Sequence, residues 1–307
     1  MRMLPRQRPW KTDKNEEKHQ MRTLTDKVVA ITGAGSGIGR CIALEVARHK
    51  GIPVLLDVNE QGLKETAKMV QDLGGKTEWH LLDIRDADQW ADVATRIIAG
   101  FGHVDVLINN AGVFSLAQSF LDIDMKQARF IFDVNVFGTF NGARAFVPLL
   151  GQRPEATLVN VASSLALVAT PLYSAYCASK SAVSGLTNVL RDELSGTRIH
   201  VMTVFPGPTK TNLGRNVVTS DTQADKAEHD EHANHFEKFA ITTPEHVARK
   251  VVKGILSNKK QVCTSADSKF AQIMSRLSPM GGHKLMAYVM RKVANPKLYQ
   301  RLDELAK

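Results

Sequence analysis

Tyr176 and Lys180 stand four residues apart in Ser174–Ser195, a stretch whose pattern predicts a helix, so they share one face. A free phenol titrates near ~10 and is a poor base at neutral pH. A lysine ammonium beside it, together with a positively charged nicotinamide ring, favours the phenolate. Such a phenol can exchange a proton with a substrate hydroxyl or carbonyl while a cofactor exchanges a hydride. The pair alone says little, because tyrosine and lysine meet at this spacing on many helix surfaces.

A second group of residues offers a place for a dinucleotide. The strand-like run Val28–Thr32 leads into Gly33-Ala34-Gly35-Ser36-Gly37-Ile38-Gly39 and then into a helical pattern. Glycines let a backbone turn tightly and approach a pyrophosphate, and the helix N-terminus that follows supplies unpaired N–H groups. Asp57 closes the next strand, eighteen residues past Gly39. A carboxylate there accepts hydrogen bonds from ribose hydroxyls and repels a 2′-phosphate, which favours NAD over NADP. Arg40 argues the other way if it faces the ribose, and not if it faces solvent.

The elements that must position these residues are legible as an alternation. Short apolar runs (Val28–Thr32, Pro53–Leu56, Glu78–Leu82, Val104–Ile108, Thr157–Val161, Ile199–Val204) are separated by helical patterns near Ile38–Lys50, Glu60–Leu73, Ala87–Gly100, Lys126–Leu150 and Ser174–Ser195. Gln261–Thr264 offers one more strand. This predicts a single α/β domain, a Rossmann-like doubly wound parallel sheet in three α/β/α layers, over residues 23–265. Residues 1–22 read as a flexible basic leader. Residues 209–241 read as a polar substrate loop, and 266–307 as an amphipathic basic helical extension broken by Pro279-Met280-Gly281-Gly282.

Taken together, Thr32-Gly33-x-x-x-Gly37-Ile38-Gly39, Asn109-Asn110-Ala111-Gly112, Asn135, Ser163, Tyr176-x-x-x-Lys180 and Pro206-Gly207 resemble the short-chain dehydrogenase/reductase family in order and spacing, over about residues 24–265. The resemblance implies that Tyr176 is the general acid/base. It implies that Lys180 lowers the phenol's pKa and binds the nicotinamide ribose, and that Ser163 holds the substrate oxygen. Asn135 would hold a relay water. Asp83 and Ile84 would flank the adenine, Asn110 would line the cofactor cleft, and Thr209 and Thr211 would meet the carboxamide. Ser164 competes with Ser163, and spacing favours Ser163. The family's glycine ten residues before the tyrosine is Ala166 here, which touches loop shape and not proton chemistry.

These expectations describe an NAD-dependent oxidoreductase interconverting a secondary alcohol and its ketone, the oxidative direction preferred. An NADP-dependent carbonyl reductase and a non-catalytic nucleotide-binding module are the alternatives. Phe114, Leu165, Leu167 and Leu172 are candidate pocket residues for a lipophilic substrate, with Tyr173 beside them. Cys177 reads as a small buried filler, because neighbouring helix positions face different ways. His229, His232 and His235 sit in the polar loop and read as solvated, so no metal is expected.

The formal charge of +9 over 307 residues lies at the ends: +4 in residues 1–22 and +10 in 248–307, leaving −5 between. With few aromatics among the basic ends, no nucleic-acid partner is expected. The tail suits packing over the cleft or a subunit contact, or peripheral contact with an anionic membrane. Three scattered cysteines, Cys41, Cys177 and Cys263, suit a reducing cytoplasmic setting. The long helices suit a homodimer or homotetramer by the same resemblance.

Overall fold

The computed structural model describes residues 21–115, 117–211, 217–218, 242–293 and 299–305. The strand runs pair as one parallel sheet. In chain order its members are β1 (Val28–Thr32), β2 (Ile52–Asp57), β3 (Glu78–Leu81), β4 (Val106–Asn109), β6 (Ala156–Val161), β7 (Ile199–Phe205) and β9 (Gln261–Cys263). Their order across the sheet is β3-β2-β1-β4-β6-β7-β9. A two-stranded pair of β5 (Phe114–Ser115) and β8 (Val217–Val218) lies apart from it. The helices are α1 (Gly37–Arg48), α2 (Glu60–Asp72), α3 (Ala87–Phe101), α4 (Met125–Phe132), α5 (Gly138–Leu150), α6 (Ser174–Glu193), α7 (Pro244–Leu256), α8 (Ala266–Leu277), α9 (Pro279–Val293) and α10 (Gln300–Glu304).

Strand side chains alternate between two cores, as a period of two requires. Val29, Ile31, Val106, Ile108, Val159 and Met202 meet Ile42 and Val46 of α1 and Val247 and Val251 of α7. Val28, Ala30, Leu107, Leu158 and Val201 face the other way, onto Trp90 and Ile97 of α3 and Phe146 and Leu150 of α5. Strands buried on both faces read as continuous apolar runs, which is why β1, β4 and β6 show no alternation in sequence. Helix starts follow their caps: Asn59 accepts from Gly62 N–H, Asp86 from Asp88 and Gln89 N–H, and Thr243 from His246 N–H ahead of Pro244.

Two expectations change here. The single helix over Lys126–Leu150 is three pieces, because a π-helical turn, Asp133–Phe137, separates α4 from α5. Composition does not betray such a turn, since one residue is added to the winding without a change of residue type. Met21, assigned to the leader, is buried in the first core beside Leu24, and residues 1–20 lie outside the described residues. The tail forms two longer helices, α8 ending at Leu277 and α9 opening on Pro279-Met280-Gly281-Gly282.

The N-terminal ends of three adjacent strands are held by one residue. Asp105 is fully buried; it accepts from Val28 N–H and pairs with Arg153 at 2.8 Å, His103 at 3.2 Å and Lys27 at 3.9 Å. Its own carbonyl receives Thr157 N–H of β6. Removing a buried, partnered charge costs about 3–5 kcal/mol. Asp105→Ala should lose that much in urea unfolding while leaving the opposite end of the sheet able to bind cofactor.

Candidate active site and cofactor cleft

The sheet order reverses between β1 and β4, each of which is followed by a crossover to its own side. Parallel sheets open a crevice at that point, beyond the strands' C-terminal ends. Here it is a cleft of about 550 Å³. Gly33, Ser36, Gly37, Ile38, Asp57, Asp83, Ile84, Asn110, Ser163, Tyr176, Lys180, Thr209 and Thr211 all line it.

One end is a backbone cradle. Gly33 and Gly37 both carry positive φ, at 68° and 51°, a region that side chains strain to enter. Gly39 does not line the cleft: it packs beneath the Gly33 carbonyl, which any Cβ would strike, and so brings helix onto strand. Ser36 caps α1 without a side-chain hydrogen bond, so its first-turn N–H groups open onto the cleft. The Asp57 carboxylate accepts from Gly35 N–H at 2.9 Å and Asn59 N–H at 3.0 Å. Arg40 faces neither ribose nor bulk solvent. Its guanidinium donates to the Gly35 and Gly62 carbonyls, to Thr66 and to the Glu65 carboxylate, and it does not line the cleft.

The Asp83 carboxylate is taken up by Arg85, through its side chain and its N–H, which holds the acid below its usual range. Arg85 in turn lies 5.0 Å over the Phe130 ring. Arg85, Val58, Phe130 and Val134 line the cleft and were missed in the sequence. Phe130 and Val134 are four apart, one face of α4 continued into the π turn, and that spacing was the available signal. Asn110 donates its side-chain N–H to the Thr32 carbonyl and its own N–H to Thr32 Oγ1.

At the other end α6 carries Tyr176 and Lys180 beneath the end of β6. Ser163 hydrogen-bonds the Tyr176 phenol, which lowers its pKa, but burial outweighs this and pushes the phenol up to about 12. Ser164 is also buried on the cleft wall, and it is Ser163 that meets the phenol. Lys180 Nζ donates to the Val161 carbonyl at 3.1 Å and lies 6.0 Å from the Tyr176 ring centroid. Burial pulls its ammonium down to about 8.

Asn135 stands behind the cleft, fully buried in the π turn. Its amide oxygen accepts from Val113 N–H, and its amide nitrogen donates to the Val113 carbonyl and to Ser179 Oγ. Ser179 Oγ then donates to the Tyr176 carbonyl. Both amide hydrogens are therefore committed to holding the first turn of α6 against the loop after β4.

The wall beside the phenol is aromatic. Phe114 meets Tyr176 edge-on at 4.5 Å and stacks on Tyr173 at 5.2 Å, with Leu165 alongside. Leu167 and Leu172, also expected here, do not line the cleft. Leu167 turns into a separate core with Val183 and Phe205, and Leu172 is buried at φ 73° in the turn before α6. Cys177 is buried against Thr170, which fits the filler reading. Thr209 and Thr211 follow the Pro206-Gly207 turn, and the Thr211 side chain sits over Gly37. His229, His232 and His235 lie outside the described residues.

Lys180 makes a stability prediction. Its folded pKa near 8 lies below the ordinary 10.5, so between those values the unfolded chain binds more protons. The cost is complete below pH 8, about 3 kcal/mol, and is relieved as pH rises to 10.5. Lys180→Met should therefore unfold at higher urea than the native protein at pH 7, by up to that amount. The gap should close towards pH 10.5.

Residues 27–222 match the family model for short chain dehydrogenase. The chain belongs to the short-chain dehydrogenase family. It is an oxidoreductase with the family's NAD-binding Rossmann fold. SadH of Mycobacterium tuberculosis, which carries an oxidoreductase name, is 33% identical over 87% of this chain and 96% of its own length. Estradiol 17-beta-dehydrogenase 11 of Homo sapiens is 32% identical over 89% and 85%. A crystal structure of a Burkholderia phymatum short chain dehydrogenase/reductase in complex with NAD superposes with a TM-score of 0.77. It is 27% identical, over 87% of this chain and 97% of that one. A Shigella flexneri chain of the same description, complexed with NADP, gives 0.67 at 25% identity, over 80% and 99%. A nicotinamide dinucleotide fits the glycine cradle and open helix end seen here.

Proposed function

We propose that this dehydrogenase oxidises a lipophilic secondary alcohol to its ketone with NAD, reversibly, with Tyr176 as general acid/base. The observation that carries this is the meeting of Ser163 and Lys180 at one phenol, in the same cleft as a phosphate cradle. A non-catalytic nucleotide-binding module has no use for a buried lysine drawn down to about 8 beside a tyrosine pushed up to about 12.

In this reading Gly33, Ser36, Gly37 and Ile38 hold the pyrophosphate, with Gly39 setting the helix under them. Asp57 takes the adenosine ribose hydroxyls. Asp83 and Ile84 wall the adenine, Asp83 through its backbone because Arg85 occupies its carboxylate. Asn110, Thr209 and Thr211 bound the nicotinamide end. Bound NAD supplies a hydride acceptor and a positive charge near the phenol. Tyr176 takes the substrate hydroxyl proton, Ser163 orients the substrate oxygen, and Lys180 supplies standing positive charge. Asn135 is a positioning residue. Any proton relay past it uses atoms other than its amide hydrogens.

NAD rather than NADP is supported by the Asp57 carboxylate on the cleft and by Arg40 being turned away. A lipophilic substrate is supported by Phe114 and Leu165 on the cleft wall, with Tyr173 stacked behind Phe114, and by the relative named as an estradiol dehydrogenase. We propose a cytoplasmic homodimer or homotetramer, supported by exposed Phe140 and Val189 on α5 and α6. Following reduced-cofactor absorbance with NAD or NADP and secondary alcohols of rising hydrophobicity tests the assignment. Faster turnover with NADP, or with the most polar alcohols, counts against it.

The pH profile has a definite sign. Oxidation needs the phenolate, and burial holds the phenol protonated at neutral pH. Oxidative kcat/KM should climb with pH, about tenfold per unit below the apparent pKa, while ketone reduction holds level there and falls only above it. In Lys180→Met the oxidative limb should move to higher pH. A flat profile in both directions would remove Tyr176 from the proton step.

A further inference from the structure

A helix folded against a protein normally buries its apolar stripe. Helix α8 does the reverse. Its inward positions are Ser268, fully buried, with Ala271, Gln272, Met274 and Ser275 half-buried, so its bulkiest apolar side chains bar one methionine point away from the protein. Its outward stripe is Phe270, Ile273 and Leu277, and Leu277 is 79% exposed. Lys269 and Arg276, both exposed, border that stripe along one side. Helix α9 continues the surface, with Met280, Leu285 and Tyr288 exposed among Lys284, Lys292 and Arg291, the last paired with Asp303 at 3.0 Å. Residues 266–293 hold five Lys/Arg against the single acid Asp267.

We propose that the outward face of α8 and α9 is a docking surface for an anionic phospholipid bilayer. Bulky apolar side chains bordered by lysine and arginine match an acyl boundary beneath acidic headgroups. Among the described residues no helix is long and apolar enough to cross a membrane, so the contact is peripheral. A second copy of this chain fits poorly. Two-fold pairing sets each patch against its twin, and here that brings like charges together.

The face also sits beside the substrate end of the cleft. Helix α8 starts where Gly207 of the cleft lining packs on Ser265 and Asp267. Gly282 of α9 lies so close to Val168 that a methyl there would meet it at 3.3 Å. Docking would thus hold the Ser163–Val168 turn near the bilayer surface, where a lipophilic alcohol concentrates. That last consequence rests on the proposed substrate class, whereas the docking itself does not.

The test is flotation of the full chain with vesicles of phosphatidylcholine containing about a third phosphatidylserine, and with phosphatidylcholine alone. The expected result is capture by the anionic vesicles at low salt and release at high salt. Lys269→Glu with Arg276→Glu should weaken capture on the order of 20-fold or more. Phe270→Ser with Ile273→Ser and Leu277→Ser should weaken it at any salt. Unchanged melting temperature and cofactor titration show that each variant is folded, and the two sets guard against failure of either one. No capture at low salt, or capture undiminished in both variants, overturns the proposal. So does a serine variant that changes the sedimenting mass while the native protein ignores vesicles, because the face is then a subunit contact. Turnover of soluble alcohols without vesicle capture would sink the docking and leave the chemistry standing; capture without turnover would do the opposite.

Discussion

Tyr176→Phe should lower kcat for alcohol oxidation by about 10²–10⁴ while cofactor affinity stays within a few-fold. The substitution removes one oxygen. The ring keeps its edge-on contact with Phe114 at 4.5 Å, and Lys180 keeps its bond to the Val161 carbonyl at 3.1 Å. Nothing in the cradle between Gly33 and Gly37 touches the lost hydroxyl. The lost interactions are the hydrogen bond with Ser163 and proton exchange with the substrate. The burial that now raises the phenol's pKa makes a phenylalanine easy to house, so melting temperature should hold or rise slightly. Reduced-cofactor absorbance against a secondary alcohol reads the first effect, and a fluorescence titration with NADH reads the second. Equal turnover in this variant would show that another group carries the proton.

Asp57→Ser should shift the ratio of kcat/KM for NAD over NADP by on the order of 10⁴–10⁵. Two terms act in the same direction. Charge-assisted hydrogen bonds to ribose hydroxyls contribute roughly 1.5–3 kcal/mol, and they go with the carboxylate. Repulsion between unit charges about 4 Å apart amounts to about 4 kcal/mol at an effective dielectric of 20, and it goes too. The carboxylate also fastens Gly35 N–H and Asn59 N–H, so both cofactors should lose some affinity as the loop loosens. The ratio cancels that shared loss. Arg40 should not rescue NADP binding by itself, because Glu65 and two backbone carbonyls already hold its guanidinium. An unchanged ratio would mean that Asp57 serves only the loop.

How much of this was legible in the sequence depended on whether the information was local. The glycine loop and the Tyr176–Lys180 pair are set by spacing along one element, and both were readable. The sheet followed from the alternation of runs, since parallel strands need crossovers. Other features depend on what folds alongside. Leu167 and Leu172 differ from Leu165 only in which way a tight turn points them, and the turn's left-handed residue is Leu172 rather than a glycine that would have marked it. Arg40 looked like a candidate phosphate ligand until Glu65, twenty-five residues on, closed over it. Met21 lay in a polar leader by composition, yet the core cluster needs its side chain.

The π turn at Asp133–Phe137 makes the length of this helix, not only its letters, heritable information. Within the turn Asn135 fastens Val113 and α6; just past it, Gly138 lies against Ile84 on the cleft wall. Losing one codon inside the turn would restore ordinary α winding and leave the downstream faces in place, whereas losing one from α5 ahead of Phe146 would swing the rest of that helix by about 100°. Phe146 and Leu150 would then leave their core. In this part of the gene, deletions past the turn and substitutions at Asn135 should mark the lineages that abandoned the chemistry.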